Sequence, residues 1–144
     1  MKFFRPVLLA VSLVSIPITA IDKQAHIDGK FFPKLSDYRF FKDLTSQTPV
    51  DEVLPYQLQS ELFSDYTHKQ RFVYVPPAMK VGHEKNKVFM FPVGSVLIKT
   101  FSYQNTMSEL TPQLLETRLL IHSEGGWKAV SYIWNEDQSE AYLS

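Results

Sequence analysis

Leu114-Leu115-Glu116-Thr117-Arg118-Leu119-Leu120-Ile121-His122, then Ser123-Glu124-Gly125-Gly126, then Trp127-Lys128-Ala129-Val130-Ser131-Tyr132-Ile133-Trp134: this stretch decides the fold. Two runs rich in strand-forming residues flank a pair of glycines, and glycine accepts the positive φ of a tight hairpin turn. The runs are therefore antiparallel neighbours. If Gly125-Gly126 alone turns the chain, Glu124 faces Trp127 and paired residue numbers sum to 251; if all four linking residues stay unpaired, His122 faces Trp127 and they sum to 249. Side chains alternate with period two, so either register sets Leu115, Thr117, Leu119 and Ile121 on one face with Val130, Tyr132 and Trp134. That is the expected core face. The other carries Glu116, Arg118 and His122 beside Trp127, Ala129, Ser131 and Ile133, too polar for a dry core and too aromatic for an ordinary surface.

The same alternation recurs upstream. Arg71 to Val75 is β-branched and aromatic and stops at Pro76-Pro77, as a strand does. Val88 to Phe91 reads as a second short strand closed by Pro92-Val93-Gly94, and Val96 to Tyr103 as a third, followed by a polar loop with Asn105 and Pro112. Nearer the N-terminus, Ser36 is expected to cap a short helix that begins at Asp37, presents Phe40, Phe41 and Leu44, and ends by Thr45. Residues 21–33 read as an irregular lead-in anchored by Phe31 and Phe32, Thr48 to Pro55 as an extended connection, and Leu58, Leu62 and Phe63 as one or two helical turns. Several short strands after one helix, with no βαβ alternation, predict a mainly β fold with a short N-terminal helix. The antiparallel sheet is either one layer of a sandwich or a curved sheet with a packed helix.

Composition sets the outer limits. With 144 residues, 44% hydrophobic and 21% charged, the chain has the make-up of one globular domain. Fifteen basic residues balance fifteen acidic ones without a run of like charge, which speaks against nucleic acid as a partner. No cysteine is present, which excludes disulfides, thiolate nucleophiles, cysteine-ligated zinc and covalent haem attachment within this chain. Lys2 and Arg5 precede an apolar run from Val7 to Ile16, then Pro17-Ile18-Thr19-Ala20, the order of a Sec-type signal peptide cleaved after Ala20. The run is well short of the roughly 20 residues that span a bilayer, so no membrane anchor is expected, and the chain reads as exported, periplasmic or extracellular. Residues 1–20 are thus a signal peptide, and 34–144 a single β-rich domain truncated at its C-terminus.

Catalytic patterns were sought by the spacing their chemistry needs. His26, His68, His83 and His122 are scattered without a His-x-x-x-His pair, so no metal site is expected. Gly94-Ser95 lacks the second glycine of a nucleophile elbow, and the five glycines build no phosphate-cradling loop. The chain does not read as an enzyme. What remains is a candidate ligand or partner surface of Glu116, Arg118, His122 and Trp127. The plain interpretation of Glu116 with Arg118 is a surface ion pair worth less than about 1 kcal/mol. The functional one is a clamp for a ligand carboxylate, with Arg118 as the donor fork. Lys99 shares a face with Leu97, Phe101 and Tyr103, so it either snorkels past them, the favoured reading, or is buried against a carboxylate.

A resemblance adds to this. Lys34-Leu35-Ser36-Asp37-Tyr38 with Phe40-Phe41, Val53-Leu54-Pro55-Tyr56, Leu62-Phe63-Ser64-Asp65 with Lys69, Arg71 to Pro76, Phe91 to Phe101, Leu115 to Leu120, and Tyr132-Ile133-Trp134-Asn135-Glu136 follow in order. The succession resembles the N-terminal region of a poorly characterised family of exported bacterial proteins that are diheme c-type cytochrome-like. Pro92 to Lys99 is also distantly similar to a strand of the cytochrome P-460 β-fold. The first resemblance implies haem c in the full-length family, held by Cys-x-x-Cys-His motifs beyond the last strand, and none in this chain. It further implies that DNA downstream of the Ser144 codon encodes such a motif within about 100 to 150 residues. The implied role is a haem-less β domain of an electron-transfer protein that docks a redox partner or frames a downstream cytochrome module. The alternative is a periplasmic small-molecule or sugar-binding module.

Overall fold

The structure, a computed structural model, describes residues 20–60, 63, 66–103 and 112–144. The segment up to Thr19 that is expected to be a signal peptide, Leu62 and the loop around Asn105 lie outside the described residues. Among those described, no helix is long and apolar enough to cross a membrane.

The fold is mainly β. Helix α1 (Lys23–Asp28) and a 3-10 turn (Leu35–Tyr38) precede β1 (Phe41–Asp43), β2 (Thr48–Pro49), β3 (Val53–Pro55), β4 (His68–Tyr74), β5 (Val96–Tyr103), β6 (Gln113–Ser123), β7 (Gly126–Trp134) and β8 (Ala141–Leu143). Strands β3 to β8 form one antiparallel sheet in sequence order, and β1 pairs with β2 in a small second sheet. One face of the large sheet is covered by the N-terminal elements: Leu35, Tyr38 and Phe40 close over Phe72, Tyr74, Val96, Ile98, Leu119, Ile121, Tyr132 and Trp134. This is the curved-sheet arrangement rather than a sandwich.

The central hairpin keeps the sum of 249: His122 faces Trp127 and Glu116 faces Ile133. Ser123 and Gly126 also pair, so the turn is Glu124-Gly125, with Gly126 beyond it at φ 97°. One core assignment changes. The pairing of β5 with β6 slips by one residue after Phe101, which faces Glu116 while Ser102 faces Leu114. Leu115 is the extra residue of this bulge, so Leu114 is buried in its place.

Four further expectations are corrected. Within the segment expected to be irregular, residues 23–28 are helical, because the Asp22 carboxylate accepts from the Ala25 N–H at 3.0 Å and Gly29 ends the helix in the left-handed region. The helix expected from Asp37 to Thr45 is only the 3-10 turn. Ser36 spends its hydroxyl on Glu140 rather than on a cap, Arg39 turns left-handed at φ 59°, and Phe41 opens a strand. The strand expected at Val88 to Phe91 is a single bridge between Met90 and Gly82, whose N–H and C=O groups bond reciprocally at 2.8 and 2.9 Å. Leu58 lies in no helix and is exposed.

Two buried polar networks tie the layers together. Trp134 Nε1 donates to Thr117 Oγ1 (3.0 Å), and Thr100 Oγ1 donates to Gln47 Oε1 (2.6 Å). The Thr117–Thr100 contact at 2.8 Å must therefore run from Thr117 to Thr100, since the Thr100 proton is already committed. Gln47 Nε2 closes the chain on the Leu44 carbonyl at 2.6 Å. In the second network, Tyr132 donates to the Phe32 carbonyl (2.7 Å), the Phe32 N–H donates to Tyr38 (3.2 Å), and Tyr38 donates back to Tyr132 (2.8 Å). Burial, and then the Tyr38 hydroxyl, push the Tyr132 phenol far above its ordinary range, so the ring of bonds stays neutral.

Candidate partner surface on the outer face of the sheet

Since the N-terminal elements cover one face, period-two alternation leaves Arg118, Leu120, Trp127, Ala129 and Ile133 exposed on the other. Register aligns them in rows. Arg71 faces Lys99, which faces Arg118, which faces Ser131; in the next row Lys69 faces Phe101, Glu116, Ile133 and Tyr142 in turn.

Glu116 and Arg118 are brought together. Arg118 Nε donates to Glu116 Oε1 at 2.7 Å and a terminal nitrogen to Oε2 at 2.9 Å. These bonds are the largest cause holding the Glu116 carboxyl below its ordinary range, helped by the Ser131 hydroxyl and the Lys99 charge and opposed by burial. The fork expected to hold a ligand carboxylate thus already holds one from its own strand. Two of the three cations of the row lean on Phe101: Lys99 Nζ lies 4.6 Å and the Arg118 guanidinium 4.9 Å from the ring centre. Lys99 therefore follows the snorkelling expectation.

His122 and Trp127 are also brought together, as a parallel stack 4.5 Å between centres and 9° between planes. The His122 ring lies 2.9 Å from the Phe91 carbonyl through Nδ1, and a carbonyl only accepts, so Nδ1 carries the proton. Phe91 also sets its ring against Trp127 at 6.2 Å, edge to face. Trp127 stays 43% exposed.

The two pairs do not form one site. Four residues of extended strand separate Arg118 from His122, about 13 Å, with Leu120 between. The surface is a strip, polar at one end and aromatic at the other. Phe101 and Phe91, which organise the two ends, were absent from the sequence-based candidates, and cross-strand register is what reveals them. Among the described residues, no group of three or more His, Asp or Glu could hold a metal ion.

Among the described residues this is an antiparallel β-sheet module with one face covered by the N-terminal elements and the other left open. No protein-family model, no curated protein and no solved structure matches the chain.

Proposed function

We propose that the chain is an exported, non-catalytic docking module whose uncovered sheet face receives a protein partner. The observation that carries this reading is Phe101 on that face, with Lys99 and Arg118 over its ring, the Leu97–Leu120 pair on the far side of those cations and Ile133 across Glu116. Apolar side chains interleaved with cations are complementary to a partner that sets acidic groups among apolar ones. The sequence resemblance supplies the partner class: a haem-bearing module of an exported electron-transfer system. Covalent haem does not fit this chain itself, which has no cysteine for a thioether bond, so the haem belongs to the partner.

Two measurements test the proposal. Intact mass of the exported protein is expected to give a chain beginning at Ile21; one beginning at Met1 overturns the export reading. Titration of the 15N-labelled domain with a soluble c-type cytochrome of acidic surface is expected to move resonances on the Phe101 face. Phe101→Glu and Arg118→Ala are expected to weaken binding at least about tenfold, while Arg118→Ala changes stability by less than about 1 kcal/mol. Binding indifferent to both substitutions and to salt sinks the docking face.

A second reading has one observation in its favour. Trp127, braced by His122 and Phe91 yet largely accessible, is built like a stacking platform for a sugar ring. A shift in its fluorescence on titration with glycans, with no response to the cytochrome, favours that reading.

A further inference from the structure

Strand β4 ends at Tyr74 and β5 begins at Val96, so residues 75–95 cross the end of the sheet at which β6 turns into β7. Within this connection every residue from His83 to Met90 is exposed, although three in a row are apolar: Val88 is 86%, Phe89 60% and Met90 52% accessible. Met79 and Val93 are exposed on the flanks. Single apolar side chains in water are ordinary, but several set together mark a place where something binds. The arm holds its shape without resting on the core. Gly82 and Met90 bond reciprocally at its base, the Lys87 N–H donates to the Glu84 carbonyl at 3.1 Å across its turn, and Asn86 takes a left-handed φ of 64° there. Gly82 leaves no room for a side chain, since a Cβ would lie 2.9 Å from the Met90 methyl carbon. Phe91 fastens the arm to the sheet through its carbonyl on His122 and its ring against Trp127, and Phe89, 6.4 Å from Phe91, continues the row of rings outward.

Charge indicates what binds. From Met79 to Val93 the chain carries Lys80, Lys85 and Lys87 with Glu84 as the sole acid, and Glu84 is held by Lys87 at 2.5 Å. Lys80 and Lys85 are left as an excess of positive charge, while Glu124 and Lys128 of the adjoining hairpin balance one another. We propose that this arm is a membrane-surface docking site, which sets Val88, Phe89 and Met90 among the headgroups of a bilayer containing anionic phospholipid, with the lysines on the phosphates. Lysine carries its charge on a flexible apolar stem, so it reaches the phosphates while neighbouring side chains go deeper. Trp127, at the base of the arm and partly exposed, suits the interfacial level. The arm lies along the interface rather than entering tip first, because its turn, Glu84-Lys85-Asn86-Lys87, is polar throughout. A fluid lipid surface receives such a projection without a matching groove, and a second copy of the chain would bring Lys80 and Lys85 against their own kind. The site is separate from the Phe101 face and does not rest on the docking reading.

Co-sedimentation of the protein with lipid vesicles tests it, using phosphatidylcholine alone and phosphatidylcholine with about one-third phosphatidylglycerol. Binding to the anionic vesicles is expected, at least about tenfold tighter than to the neutral ones and weakened by salt. Val88→Glu alters a side chain that the fold hardly touches, and it is expected to weaken vesicle binding at least about tenfold with thermal unfolding unchanged. Lys80→Glu combined with Lys85→Glu is expected to do the same on anionic vesicles. Phe101→Glu is expected to leave vesicle binding intact, which separates this site from the docking face. Every variant keeps the same N-terminus, so any lipid affinity of the apolar run from Val7 to Ile16 cancels in the comparison. The proposal is overturned if the protein ignores anionic vesicles or binds both kinds alike, if Val88→Glu binds as well as its parent, or if sedimentation shows a dimer that Val88→Glu dissociates.

Discussion

Lowering the pH from neutral to about 4 is expected to cost the domain about 3 kcal/mol of folding stability, with His26 as the cause. Its side chain is 0% exposed, and neither ring nitrogen has a well-formed hydrogen bond. Aromatic rings enclose it: Phe40 at 5.4 Å, Tyr74 at 5.5 Å and Tyr38 at 5.8 Å. A charged imidazole would lose its water there without replacement. Desolvation accordingly lowers the pKa from 6.5 to about 4, against the weaker opposing pull of the Asp22 carboxylate and the nearby Gly94 backbone. The neighbouring phenols Tyr38 and Tyr74 are pushed upward by burial and stay neutral throughout.

The sign follows from linkage. A folded-state pKa below the unfolded one means that the unfolded chain binds the proton first. Stability is therefore complete above pH 6.5, declines as the pH falls below it, and reaches its full loss near pH 4. Hydrogen bonds hold the carboxyls of Asp28, Asp43, Glu116 and Asp137 below their ordinary range, so their contributions are lost only as the pH falls through that range, and the slope between pH 6.5 and about 5 belongs to His26. Urea unfolding at a series of pH values measures it, and His26→Phe is expected to flatten the curve in that window. A variant with the wild-type slope would show that the proton goes elsewhere.

Thr100→Val is expected to cost about 2 to 4 kcal/mol, although it keeps the shape of the side chain. Thr100 is fully buried and sits mid-way in the relay from Trp134 to Leu44. Without its hydroxyl, the Gln47 amide oxygen loses its donor and the Thr117 hydroxyl its acceptor, at about 1–3 kcal/mol each. Adding Gln47→Met to Thr100→Val is expected to restore part of the loss by removing the stranded oxygen. Chemical denaturation of the two single variants and the double variant reads the coupling, and strictly additive losses would refute the relay.

The hairpin of β6 and β7 was legible because two physical signals agree there: strand-forming runs with a two-residue period, and glycines where the chain must reverse. The extent of β5 was equally clear from its alternation. The region before β3 was not. A six-residue helix such as α1 is too short to display its period, and His26, polar by type, gives no sign that it belongs inside. Arg39 and Gln47 take left-handed conformations that the sequence does not mark, and the bulge at Leu115 leaves no trace in residue type. At Val88 to Phe91 the residue types favour a strand, but a strand also needs a neighbour, and the fold provides one only at Gly82. In the candidate site, face and register were legible, as was the ion pair of Glu116 with Arg118. Stacking of His122 on Trp127 was not, because it depends on the position of Phe91, which approaches from another part of the chain.

The covering layer also sets the order in which the chain can fold. Its partners are late in the sequence: Tyr38 bonds to Tyr132, Ser36 to Glu140, Lys34 bridges to Tyr142, and the Pro33 carbonyl accepts from Leu143. A segment that emerges early from the ribosome thus cannot complete its contacts until the last strand has been made. Such widely separated contacts slow folding, because the intervening chain must be ordered before they give any return. Through that interval Phe32 and Tyr38 remain without their native partner Tyr132, and they are the residues a chaperone would meet.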